Sequence, residues 1–165
     1  LDAEYDAVIC DGSPRLNDQT HVLMYFASRI LIPVLPSALD VQATIETKHA
    51  IDKVAAARDA DGVDQPMSWI VLNKVRSISE QGKLVRKVLR DMGLPIATQR
   101  LGLRDAFSKA VVDDTVVTRA AKKPRPNKGV CQAADDLLQL FAEVIPDELR
   151  HETPTTEHHD QLQAA

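Results

Sequence analysis

Short apolar runs separated by amphipathic stretches of helical length constrain this chain more than any other feature. Residues 5–10, 29–34, 67–73 and 95–101 read as strands. Three of them are nearly continuous apolar runs, the pattern of strands buried on both faces of a parallel sheet. Helical periodicity is predicted over 18–28, 39–59 and 79–92, then over a short 104–112 and a final 129–144. Strand and helix in alternation imply right-handed crossovers and a parallel sheet. Local signals agree. Ser77 with Glu80, and Ser37 with Asp40, have capping-box spacing. Gly93 and Pro95 stop the third helix, and Pro146 stops the last. Leu84, Val85, Val88, Leu89 and Met92 should form one core face, and Leu137, Leu138, Phe141, Ala142 and Ile145 another.

The chain has 165 residues, enough for one domain with a real core. A net charge of -4 argues against a general nucleic-acid coat, although it allows a local basic patch. Cys10 lies in an apolar run and reads as a small buried hydrophobe, with Cys131 far from it in sequence. No apolar run is long enough to span a membrane, and no signal-peptide pattern is present. A first residue of Leu1 with a strand almost at once suggests part of a longer domain. Residues 147–165 are polar, contain His151, His158 and His159, and read as a disordered tail without ligand spacing.

The chemistry is expected at the carboxyl ends of the strands, where open α/β sheets bind ligands. Asp11, Asn73 and the 99–104 segment all fall there. Asp11 could hold Mg²⁺ through water and orient phosphate chemistry; its structural alternative is a helix cap. Asn73 offers a donor and an acceptor, which suits the edge of an adenine, or it could satisfy a turn. Arg104 lies near Arg100, Lys109, Arg119, Lys122, Lys123 and Arg125, a basic run that could attract phosphates or be a solvated face. With only 4% aromatic residues, stacking on bases is not expected. No Gly-rich phosphate loop with a Lys occurs in the chain.

These residues resemble the ParA/MinD group of deviant Walker-type ATPases, the ParA branch most closely. The group's strand Y-D-hydrophobic-hydrophobic-D-x-x-P, its following Leu and Thr, its Ala-rich helix and its I-P-V strand are matched by Tyr5-Asp6, Asp11, Pro14, Leu16, Thr20, Ala27 and Ile32-Pro33-Val34. Its V-L-N-[KR]-V strand end corresponds to Val71-Leu72-Asn73-Lys74-Val75. A segment like R-x-A-F-x-x-A with a later hydrophobic pair corresponds to Arg104, Ala106, Phe107, Ala110, Val116 and Val117. The departures are the missing amino-terminal phosphate loop, Ser13 where a first proline is common, and Asp113-Asp114 where a Gly is usual.

The resemblance implies an α/β fold, a three-layer α/β/α P-loop NTPase-like domain with a mostly parallel sheet, over residues 1–146 and without its first strand, phosphate loop and helix. It implies ATP and Mg²⁺ as cofactors, with Asp11 as the Mg-water and switch residue. Asn73 would contact the base, and Pro14, Gln99 and Arg100 would support nucleotide binding. It also implies a homodimer on ATP binding, a ParB-like centromere-binding partner, no membrane, and a nucleoid-associated cytoplasmic location. Arg104, Lys109, Arg119, Lys122, Lys123 and Arg125 would bind DNA non-specifically in partition. Without phosphate-loop lysines, the chain as it stands is not expected to hydrolyse ATP, so a non-catalytic scaffold or DNA-binding accessory is the alternative. A MinD-like cycle needs an amphipathic membrane helix that the polar tail does not supply. A cluster protein needs cysteines after Asp11, and none occurs in that segment.

Overall fold

The computed structural model describes residues 5, 7–13, 15–76 and 80–145. Eight elements follow in order: α1 (Asp18–Phe26), β1 (Arg29–Val34), α2 (Ala38–Ala60), β2 (Met67–Leu72), α3 (Glu80–Asp91), α4 (Asp105–Val112), α5 (Val117–Ala121) and α6 (Lys128–Val144). The strands β1 and β2 pair in parallel, with Arg29 opposite Met67 and Val34 opposite Leu72. The α/β class is therefore as expected, with helices dominating a small parallel sheet.

Strand β2 places the layers. Ile70 and Leu72 point into a core with Met24 of α1, Ile32 and Val34 of β1, Val41, Ile51 and Val54 of α2, and Val85 and Leu89 of α3. Val71, with half-buried Trp69, points the other way, onto Leu140 and Val144 of α6. Ile70 and Leu89 are both 0% exposed. A third cluster joins α4, α5 and α6 through Ala110, Val117 and Ala133, with Phe107 and Leu137 against it.

Caps define the helix starts. The Asn17 side chain accepts from the Thr20 amide, and the Ser37 side chain from the Asp40 amide, as its spacing predicted. The Ser37 hydroxyl in turn donates to the Asp40 carboxylate. The Ser77 cap lies outside the described residues.

Two expected strands are corrected. In the first, the described residues, 5 and 7–10, form no ladder. Val8 and Ile9 are exposed, Ile9 at 86%, and Cys10 is exposed rather than buried. An apolar run gives a segment the capacity to pair, but pairing needs a second edge, and among the described residues none is bonded to this one. Residues 95–101 do lie parallel to β2, through Ile70 N–H to Pro95 O and Leu101 N–H to Leu72 O, but as isolated bridges rather than a continuous strand. The interruption falls at Thr98 and Gln99, whose amides are taken by Glu143 of α6.

Two helix faces also differ. In α3, Val85 and Leu89 are buried, while Leu84 and Val88 are exposed. In α6 the buried residues are Ala133, Ala134, Leu140 and Val144; Leu138, Phe141 and Ala142 are exposed. The buried face is set by two contacts: Leu140 and Val144 pack on β2, and Ala133 packs on α4 and α5. The short α5 was not expected; it occupies the stretch read as a hydrophobic pair after a turn.

Arg58 ties α2 to the end of α1. It is 6% exposed and donates from one terminal nitrogen to the carbonyls of Tyr25 at 2.9 Å and Ala27 at 2.8 Å. These oxygens belong to the end of a helix, where carbonyls lack intrahelical donors and a cation is favoured. Arg29 makes a second tie: it lies 5.5 Å from the Trp69 ring centroid and donates to the Val144 carbonyl at 3.0 Å. Arg58→Met keeps much of the apolar stem and removes the charge-assisted donors. Urea unfolding should show a loss of about 2 kcal/mol; a loss below about 0.5 kcal/mol would show that the carbonyls find water instead.

Candidate functional site

The carboxyl end of β2 runs into a cleft of about 490 Å³, lined mainly by polar groups. It is lined by Val75 and Arg76, which follow β2, by the 98–104 loop bonded alongside them, and by Asp136 and Gln139 of α6. A volume of this order suits a small-molecule site. Of the residues picked from sequence, the fold brings Gln99, Arg100 and Arg104 together here.

Helix α6 holds the loop with two carboxylates. Glu143 accepts from the Thr98 amide at 2.6 Å and the Gln99 amide at 2.9 Å. Asp136 accepts from the Gly102 amide at 3.3 Å and from Arg104 Nε at 2.9 Å. Gln132 accepts from a terminal nitrogen of the same Arg104 at 3.0 Å. Residues 132, 136, 139 and 143 recur at helical spacing, so they share one face of α6. A Cβ on Gly102 would lie 3.2 Å from Arg104 Nε and 3.3 Å from an Asp136 oxygen, a tight fit that either side chain would have to yield to by a few tenths of an ångström.

Arg104 is thus engaged inside the protein rather than free on a basic surface. The side chains of Arg76 and Arg100 have no hydrogen-bond or ion-pair partner among the described residues and leave two open cations in the cleft. Sequence reasoning missed Arg76, Asp136, Gln139 and Glu143. Arg76 lies three residues beyond Asn73, and the α6 polar stripe has the spacing of an ordinary solvated face.

The remaining expected residues are dispersed. Asn73 follows β2, but its side-chain oxygen accepts from the Lys74 amide at 2.8 Å, where Lys74 takes a left-handed φ of 51°. That is the turn-satisfying role, and Asn73 does not line the cleft. Asp11 is exposed and caps nothing: the cap of α1 is Asn17. Pro14 lies outside the described residues, as does the 147–165 tail. Lys109, Arg119, Lys122, Lys123 and Arg125 are exposed, and none forms an ion pair among the described residues. They lie on α4, on α5 and in the loop before α6, three helices that pack together.

A polar cleft with two free guanidinium groups fits an anionic ligand such as a nucleotide. Asp11 is a single exposed carboxylate, and among the described residues no group of three or more His, Cys, Asp or Glu is placed to hold a metal. Among the described residues, no helix is long and apolar enough to cross a membrane.

No family model matches the chain. It is 31% identical over 143 residues to the Maintenance of carboxysome distribution protein A of Halothiobacillus neapolitanus. The match covers 86% of this chain and 61% of that protein, so the chain spans about three fifths of its relative's length. This likeness supports the ParA/MinD resemblance at the level of the superfamily and no finer.

Burial opposes the charge on Glu143, but the Gln99 and Thr98 amide bonds together with a bond from the Thr98 side chain outweigh it and hold its pKa below the ordinary value of 4.5. A group lowered in the folded state stabilises above its unfolded pKa, and the stability is lost as pH falls through the folded pKa. In an acid titration followed by amide resonances, Thr98 and Gln99 should therefore shift together with a midpoint below 4.5. A midpoint at or above that value would show that the carboxylate is not held by these amides.

Proposed function

We propose that this chain forms part of a ParA-type ATPase that binds Mg-ATP between two subunits and positions a cargo by binding DNA non-specifically. The observation that carries this reading is the 143-residue similarity, which takes in most of the chain. The parallel sheet with ligand-competent loops at its carboxyl end supports it. On this reading Gln99, Arg100 and Arg76 face the nucleotide, Asp11 would hold Mg²⁺ through water, and a base contact by Asn73 would require its side chain to leave the Lys74 amide. The phosphate-loop lysines needed for hydrolysis are not among these 165 residues, so the ATPase activity belongs to a protein that supplies them.

The DNA-binding part rests on Lys109, Arg119, Lys122, Lys123 and Arg125, all exposed. Arg104 is left out of that set, since Asp136 and Gln132 already occupy it. Phosphate contacts alone carry little sequence information and fall steeply with salt. The cargo could be a replicon recognised through a ParB-like protein. The name of the relative favours a second reading, distribution of a large intracellular body. Both use the same cycle: dimer formation on ATP binding, attachment to the nucleoid, and release on hydrolysis.

The DNA part is tested with a mixed-sequence duplex and fluorescence anisotropy over a salt series. Replacing Lys122, Lys123 and Arg125 together by Ala should weaken binding to all sequences alike and reduce the salt slope by about 2 to 3. An unchanged slope would remove the basic loop from the reading. Wild-type protein that fails to bind DNA with or without ATP would favour the non-catalytic scaffold.

A further inference from the structure

The 98–104 loop carries the cleft's Gln99 and Arg100. Its second half is bonded to β2 and the residues after it, through Leu101 N–H to Leu72 O, Val75 N–H to Leu101 O and Leu103 N–H to Val75 O, but none of these bonds reaches Thr98, Gln99 or Arg100. Helix α6 holds that first half and adds to the second. Four hydrogen bonds from the loop end on two α6 carboxylates, at Thr98, Gln99, Gly102 and Arg104. Asp136 and Glu143 are seven residues apart, two helical turns on the same face, so a rigid helix sets the spacing between the two ends of the loop. Neither carboxylate needs to touch a ligand to matter, because the positions of Gln99 and Arg100 depend on the backbone they fix.

We infer that Asp136 and Glu143 are positioning residues of the cleft, holding the 98–104 loop so that Gln99 and Arg100 face an anionic, nucleotide-type ligand; this rests on the nucleotide reading above. Both carboxylates are spent on the loop, and Asp136 also neutralises Arg104. The free positive charge of the cleft is thereby concentrated on Arg76 and Arg100. The arrangement asks for charge, not only size, at these positions: an amide in place of either carboxylate keeps the shape but offers one acceptor oxygen where two are used or where a cation is paired.

The test combines two measurements on the 165-residue chain and three variants, Glu143→Gln, Asp136→Asn and Glu143→Asp. Amide exchange by NMR should rise at least about tenfold at Thr98 and Gln99 in Glu143→Gln, and at Gly102 in Asp136→Asn, with the core amide of Ile70 unchanged. Binding of a fluorescent trinitrophenyl-ATP should weaken several-fold in both, and Glu143→Asp should recover part of the loss. The surface variant Asp52→Asn, which breaks only the exposed Lys48 pair, serves as control and should bind as wild type. A rise in exchange throughout the chain, Ile70 included, would make the carboxylates supports of the fold and overturn the positioning role. Local release of the loop with unchanged affinity would overturn it as well. Wild-type protein that does not bind the probe would remove the nucleotide reading and this inference with it, an outcome distinct from the other two.

Discussion

The structure depends on β2 being apolar on both of its faces. Ile70 and Leu72 need one helical layer, Trp69 and Val71 another. The first is met by α2 and α3, which flank β2 in sequence, with α1; the second is met by α6, which begins 56 residues after β2 ends. Bringing α6 back also brings back its polar stripe, and that stripe builds the cleft wall. Burial of Leu140 and Val144 and the anchoring of the 98–104 loop are two consequences of one packing event.

The ties that complete the fold are charge-assisted and placed where the backbone leaves groups unpaired. Arg58 closes the end of α1, Arg29 the end of α6, and Glu143 the gap where the third strand breaks. Such bonds hold both stability and local geometry, because removing one partner strands a carbonyl or an amide. The same economy applies to half-buried Arg104: a guanidinium bonded by Asp136 and Gln132 is a structural fork, whereas the exposed Lys122 and Lys123 remain open to phosphate.

Much of the architecture was legible from pattern. Strands β1 and β2, the extents of α2 and α4, and the Ser37 cap followed from apolar runs and capping chemistry, which are local rules. The 5–10 segment was not legible, since its apolar residues specify a capacity to pair without specifying a partner, and Ile9 stands exposed. The inward face of α6 was misread for a related reason. Leucines at 137 and 138 are equally apolar, and only the packing of α4 and α5 against α6 decides that Leu137 is the one covered.

By itself, the sequence determined the alternation of strands and helices, the parallel pairing and the placing of ligand-competent loops beyond the strand ends, because these rest on periodicity and crossover handedness. It also carried the ParA-like order of motifs that the carboxysome-distribution relative supports at superfamily level. The tertiary structure alone decided that Gln99, Arg100 and Arg76 share a cleft, that Arg104 is held rather than free, and that Asp136 and Glu143 fix the loop between them. Those contacts join positions more than thirty residues apart, and hydrogen bonds over that separation leave no trace in local spacing; they exist only once α6 has been drawn onto the sheet by its buried apolar side chains.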